Sequence, residues 1–308
     1  MEQKFSGKKT NKVHPTGLYL FFMLRNRIDI GLMTLRIQDI IEHLDQEIPF
    51  DLAEKWDNVG LLVGNPNQEV KTILLALDPT TSLIEEAVQR NADTVLTHHP
   101  AIFKPLATIN TSQPEGRLVA AAISNNISLI ACHTNLDSVV NGVSDILARR
   151  LGVKDVQPLC PSATGAEGSG LGRIGRLDAP WPGKKYLEKV VDVLRLPALP
   201  VAGPIPEQIE TVAVCGGSGS EFAAVARNLG ADVYISAEIK HNIARWAEEC
   251  HFCVIDGSHF ATEQAAVQLL AERLAYMTKE NGWQLNVLQS ETERHPFHYM
   301  STKHTTVI

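Results

Sequence analysis

Two blocks of this chain share one pattern, with modest identity, as any two β-α-β units can. "TILLALDPTTSLIEEAVQRNADTVLTHH" begins at Thr72 and "TVAVCGGSGSEFAAVARNLGADVYISAE" begins at Thr211. An offset of 139 residues (211 minus 72) superposes them without a gap, carrying Ala92-Asp93 onto Ala231-Asp232 and His99 onto Glu238. Each copy reads as strand, helix, strand: a short apolar run, a segment of helical periodicity, and a second apolar run. A β-α-β unit buries its strands only when helices cover both faces of the sheet. The expectation is therefore an α/β chain of two similar halves, with functional groups at matching strand ends, because open α/β sheets place ligands at the carboxyl ends of their strands.

The rest of the chain extends this pattern. Further strand-like runs are 128–134, 171–177, 252–258 and 284–290; helical patterns fall near 36–46, 115–126, 141–151, 184–195, 240–250 and 261–279. The expected organisation is an N-terminal extension over 1–32, a first half over 33–152, a connector over 153–209, a second half over 210–290 and a peripheral tail over 291–308. The connector is expected from its Gly, Pro and Ser content, as in "PSATGAEGSGLG" and "PALPVAGPIP". The extension holds the apolar run "GLYLFFML", far shorter than the roughly 20 residues of a spanning helix. A cleaner start is "MTLRIQDIIEHLDQEIP" from Met33, whose apolar residues recur at helical spacing.

Charge and cysteines narrow the setting. The net charge of −7 and the lack of a long basic run give no footprint for nucleic acid or an anionic membrane. Five cysteines in 308 residues do not make a secreted disulfide framework, and a reducing cytoplasm fits them. Cys250 and Cys253 form a lone C-x-x-C without a second pair, so they read as idle thiols rather than a zinc site.

Candidate chemistry collects at strand ends. His98 and His99 close the run "TVLTHH"; "CHTNLD" supplies His133 and Asp137; "DGSHFATEQ" supplies His259 and Glu263. The last two groups share the spacing His-x-x-x-acid, which puts both side chains on one helix face if a helix begins there. Imidazole with carboxylate is a ligand set suited to zinc, iron or manganese. Singly, each group reads as polar surface; together, each following an apolar strand, they read as a metal site. "CGGSGSE" at 215–221 is either an anion-holding helix start or a tight strand-to-helix turn. Without the Lys-Ser/Thr ending of a phosphate-binding loop, the turn is favoured. Lys240 and Arg245 are candidates to meet an anionic substrate, with solvated helix charges the plainer explanation.

The series "WDNVGLLVG" (56–64), "THHP" (97–100), "HTNLD" (133–137), "GGSG" (216–219), "SAEIKHN" (236–242) and "GSHFATEQ" (257–264) resembles the ordered motifs of the Nif-three-like family, also catalogued as GTP cyclohydrolase 1 type 2 homologs. The resemblance spans about Met33 to Ser290. It implies two similar α/β/α layered halves with a metal site in the cleft between them, two divalent transition metal ions, a toroidal homohexamer, and a small-molecule, nucleotide-like substrate. By motif position His99 and Asp137 would bind one ion, His98 and His259 the other, and Glu263 would bridge both. Two such ions activate water, so hydrolysis is the implied reaction. Glu238 or His133 is then the candidate proton carrier, with His133 alternatively holding Asp137 in place. Ala237 and Asn242 depart from the family's usual Gly and His. Rivals are a phosphoesterase and a non-catalytic metal-binding scaffold for protein partners.

Overall fold

The repeated block folds in the same register twice. In the computed structural model, which describes residues 34–300, the first copy gives β2 (Thr72–Ala76), α2 (Thr81–Gln89) and β3 (Thr94–Thr97). Chain order places α1 (Ile37–Glu47) and β1 (Gly60–Val63) before it, then α3 (Pro114–Ser124), β4 (Ser128–Ala131), α4 (Thr134–Ser138) and α5 (Val143–Arg150) after it. Next come β5 (Lys154–Pro161), β6 (Gly170–Pro182), α6 (Gly183–Leu194) and β7 (Val201–Ala202). The second copy gives β8 (Gln208–Ser218), α7 (Ala223–Asn228) and β9 (Val233–Ala237). The chain closes with α8 (His241–Glu249), β10 (Cys253–Asp256), α9 (His259–Glu263), α10 (Ala265–Asn281) and β11 (Asn286–Gln289).

Ile73 pairs with Thr94 in the first parallel ladder and Val212 with Val233 in the second, positions related by the same 139-residue offset. The loops match as well. Asp93 accepts from the amides of Lys71 and Thr72, and Asp232 from those of Glu210 and Thr211, at 2.8–3.1 Å. These bonds satisfy amides at the strand start, which explains why "Ala-Asp" recurs in both copies.

Two sheets result, ordered β1-β4-β3-β2-β11 and β5-β6-β8-β9-β10-β7. In each, the two parallel strands of the repeat and a third parallel strand beside them, β4 or β10, form the centre, with a short strand running antiparallel to that third strand. Helices cover both faces of both sheets. On the first sheet, Ile37, Ile40 and Leu44 of α1 and Leu270 and Leu274 of α10 pack on Ile73 and Leu75, while Leu83, Leu118 and Val119 of α2 and α3 pack on Leu74 and Val95. On the second, Tyr186 and Val190 of α6 face Val212 and Ile235, and Ala226 and Ala247 of α7 and α8 face Ala213 and Tyr234. Fully burying one such aliphatic side chain contributes ~1.5–3 kcal/mol.

Three parts of the sequence reading change. Residues 153–209, expected as a connector with one strand and one helix, hold β5, β6, α6 and β7, and because β6 pairs with β8 the segment builds the edge of the second sheet. The run at 284–290, grouped with the second half, instead forms β11 beside β2 in the first sheet, and α10 packs against α1. The helix expected over 261–279 is two helices, α9 and α10, meeting at Gln264. The extension 1–32 and the end of the tail, 301–308, lie outside the described residues. Among the described residues no helix is long and apolar enough to cross a membrane.

Candidate metal centre

The carboxyl ends of β3 and β4 face those of β9 and β10 across a cleft of 1170 Å³. His98 and His99 follow β3 directly. The ladder continues through both, with His98 N–H donating to Ala76 O and His99 N–H to Leu77 O. Their rings nonetheless lie 5.0 Å apart. His133 precedes α4, which carries Asp137; α9 carries both His259 and Glu263. The repeated His-x-x-x-acid spacing thus comes from two short helices in corresponding places after β4 and β10.

Every candidate imidazole is anchored from behind through Nδ1. His98 Nδ1 meets Cys132 O at 2.9 Å, His99 Nδ1 meets Asp78 Oδ1 at 2.7 Å, His133 Nδ1 meets Asp57 Oδ1 at 2.8 Å, and His259 Nδ1 meets Glu238 Oε1 at 2.9 Å. With Nδ1 donating to an oxygen, a neutral imidazole presents a bare Nε2 lone pair, the arrangement typical of metal-bound histidine. His99 Nε2 and His259 Nε2 lie 3.2 Å apart, at 3.0 and 2.9 Å from Glu263 Oε2. His98 Nε2 stands 3.7 Å from both Asp137 Oδ1 and Glu263 Oε1. His98 Nε2 and Asp137 Oδ1 are buried with no hydrogen-bond partner.

This donor set fits cations. Two lone pairs and a carboxylate oxygen aimed at one point repel each other unless positive charge lies among them. Without a metal, protons must supply that charge. Burial would lower the three histidines, but the carboxylates beside them outweigh it: His98 is raised, His99 is pushed up to about 10 and His259 to about 9. Burial would raise Glu263 too, yet His259, His98 and His99 hold it well below the usual carboxylate range. Burial does push Asp137 up. Gly217 supplies the necessary space. It adopts φ +64°, and a Cβ there would strike Glu263 Oε1 and lie 3.2 Å from His259 Nε2.

All five predicted ligands converge, as do His133 and Glu238. The nitrogen and oxygen atoms group as His98–Asp137–Glu263 and His99–His259–Glu263. That grouping exchanges the two adjacent histidines relative to the pairing implied by motif position. His133 makes a third group with His98 and His99, and its anchor is Asp57 rather than Asp137. Glu238 holds His259, from a left-handed backbone at φ 53° that a non-glycine residue seldom adopts. The glycine turn at 216–219 spends two of its amides on protein: Gly216 N–H donates to Ser144 Oγ and Gly217 N–H to Thr262 Oγ1.

Asp57 and Asp78 take roles that no sequence pattern marks. The Asp57 side chain is buried. Burial would raise its carboxyl, but hydrogen bonds from His133 and Thr134 hold it down to about 2. The tail is not peripheral. Glu86 accepts from the hydroxyls of Ser290 and Thr292 and from Glu291 N–H. Glu293 accepts from the amides of Leu77 and Asp78, and His295 Nε2 meets Ser258 Oγ at 2.7 Å. Residues 290–297 therefore run from the first half, past the anchor of His99, to the residue before His259; Phe297 then lines the cleft.

Comparison with known proteins identifies the family and the fold. The sequence profile of the family described as Duf34/NIF3 (NGG1p interacting factor 3) matches residues 35–296. A Streptomyces coelicolor protein named "GTP cyclohydrolase 1 type 2 homolog" is 37% identical over 268 residues, covering 85% of this chain and 93% of that one. A Drosophila melanogaster protein, "NIF3-like protein 1", is 34% identical over 67% of this chain and 70% of its own. The crystal structure of Staphylococcus aureus protein SA1388 superposes with a TM-score of 0.80 at 27% identity, covering 86% of this chain and 99% of that one. The chain belongs to the Duf34/NIF3 family.

Proposed function

We propose that this protein is a metal-dependent hydrolase with a dinuclear centre held by His98, His99, Asp137, His259 and Glu263. The observation carrying the reading is the meeting of His99 Nε2 and His259 Nε2 on one oxygen of a buried carboxylate, with both Nδ1 atoms already engaged. The relatives named GTP cyclohydrolase 1 type 2 homolog point the same way, toward hydrolysis of a heterocyclic, nucleotide-like substrate. Two divalent transition ions, zinc, iron or manganese, supply Lewis acidity and an activated water near neutral pH when bound.

The chain's own residues do the remaining work. Glu263 is the carboxylate shared between the two positions. Asp78, Glu238 and the carbonyl of Cys132 fix the imidazole orientations, which raises the basicity of the inward nitrogens. His133 is the better candidate to move a proton. Asp57 fixes its Nδ1, so Nε2 is the nitrogen left to exchange a proton with substrate, and the ionised Asp57 stabilises the imidazolium that forms. Glu238, already bonded to His259, positions rather than shuttles. A toroidal homohexamer belongs to the same reading.

Elemental analysis of purified protein should find close to two transition ions per chain, and His98→Ala should lose one of them. A wild-type protein that stays empty after loading would remove the proposal. Against a substrate that the wild type turns over, His133→Gln should keep its metal and lose about 10²–10⁴ in kcat. A variant that stays fully metallated and fully active would leave His133 without a catalytic part. A solution mass equal to one chain would exclude the hexamer.

A further inference from the structure

The cleft wall around the metal ligands is acidic and aromatic. Asp51, Glu54 and Glu221 line it without a salt-bridge partner among the described residues. Asp78 and Glu238 add the carboxylates that anchor His99 and His259. Lys55 is the single lysine or arginine lining it among the described residues. The field is felt by a thiol on the same wall: burial raises Cys160, and the Glu221 and Glu54 carboxylates raise it further. Lys240 does not line the cleft, and Arg245 is paired with Glu248 at 2.7 Å. The glycine turn that could have cradled phosphate has two of its amides committed to Ser144 and Thr262.

A set of exposed rings lines the same cleft. Trp56, Phe103 and Phe297 line the cleft, at 58%, 46% and 76% exposure. Trp56 and Phe103 have centroids 5.7 Å apart, and each lies within 6.3 Å of the His133 ring. Large aromatic faces left open beside a polar centre offer stacking and, for a cation, attraction to the ring face.

We infer that this site selects a planar ring that is neutral or cationic, and discriminates against a nucleoside triphosphate. This rests on the metal-hydrolase reading of the same cleft. A single anionic group can sit on the ions; the remaining phosphates of a triphosphate would have to run along a wall of carboxylates, within a Debye length of ~8 Å at physiological salt.

The test is calorimetric binding of three probes to the metal-loaded full chain: guanosine, the cationic 7-methylguanosine, and GTP. Both nucleosides are expected to bind about tenfold tighter than GTP. GTP affinity should rise with added salt as repulsion is screened. Glu54→Gln with Glu221→Gln should bring GTP to within about threefold of guanosine. Trp56→Ala should weaken both nucleosides and leave metal content unchanged. GTP binding tighter than guanosine, with affinity falling as salt rises, would overturn the inference; so would no nucleoside binding at millimolar concentration. Metal content measured on the same samples separates the two readings. A protein without metal refutes the hydrolase proposal, whereas a fully metallated protein that prefers GTP refutes only the substrate class.

Discussion

At the scale of single residues, the site depends on one absent side chain. Gly217 is left-handed, which costs an L-residue roughly 1–2 kcal/mol, and its missing Cβ is the space in which Glu263 and His259 meet. Gly217→Ala should therefore keep its far-ultraviolet circular dichroism and lose metal, read by elemental analysis. Full metal occupancy in that variant would show that Glu263 can sit elsewhere. The candidate groups were legible in the sequence because each stands at the end of an apolar run or one helical turn beyond it; the family resemblance, not the spacing, singled out five of them as metal ligands. Their anchors were not. Asp57 reaches His133 across 76 positions of sequence and Asp78 reaches His99 across 21, from loops with no periodicity to mark them. The consequence is testable at Asp57. Asp57→Asn leaves the hydrogen bond sterically possible but removes the charge that stabilises a protonated His133. The variant's kcat should fall by about tenfold or more, with metal content unchanged. An unchanged kcat would assign the proton transfer to another group.

At the scale of elements, the tail changes status most. Its polar composition reads as periphery, yet Glu86 on α2 gathers Ser290, Glu291 and Thr292 and directs the segment toward the cleft. Burial would raise the Glu86 carboxyl, but those bonds and Arg90 lower it from 4.5 to about 2. The sign follows. A depressed folded value means that Glu86 stabilises the docked tail fully above pH 4.5 and loses that contribution as pH falls from 4.5 toward 2. At neutral pH, Glu86→Gln exchanges a charged acceptor for a neutral one, a difference of about 1–2 kcal/mol for such bonds. Trypsin cleavage after Arg294 should then speed by about tenfold, followed by mass spectrometry. An unchanged rate would mean that Glu293 and His295 hold the segment without Glu86. The sequence hid this because the bonds join residues about 200 positions apart. It hid the placement of β11 for a related reason: an apolar run announces a strand but carries no label for its sheet, and β11 lies in the first sheet although the chain reaches it from the second.

At the scale of the whole molecule, the candidate ligands come from both halves of a repeated architecture. The first half contributes His98, His99 and Asp137 and the second His259 and Glu263, so a metal held by them would tie the two sheets across the cleft. The repeat predicted the halves but not their asymmetry. The offset that superposes Thr72 on Thr211 places His99 on Glu238, a ligand candidate on the carboxylate that anchors another ligand's ring. One half thus supplies more nitrogen and the other the central oxygen, which a symmetric duplication would not. Structural coupling between the halves already exists through α10 and β11, so unfolding should follow a single calorimetric transition with or without metal. The metal's share is then read by linkage. A ligand at 100- to 1,000-fold its dissociation constant stabilises the state that binds it by about 3–4 kcal/mol. For a chain of this size that moves the midpoint by several degrees. Chelation should lower the midpoint by that amount in the wild type and hardly at all in Glu263→Ala, which lacks the shared oxygen. Equal shifts in both proteins would place the stabilising ion outside this cleft. Two transitions after chelation would show that the cation, rather than α10 and β11, holds the halves together.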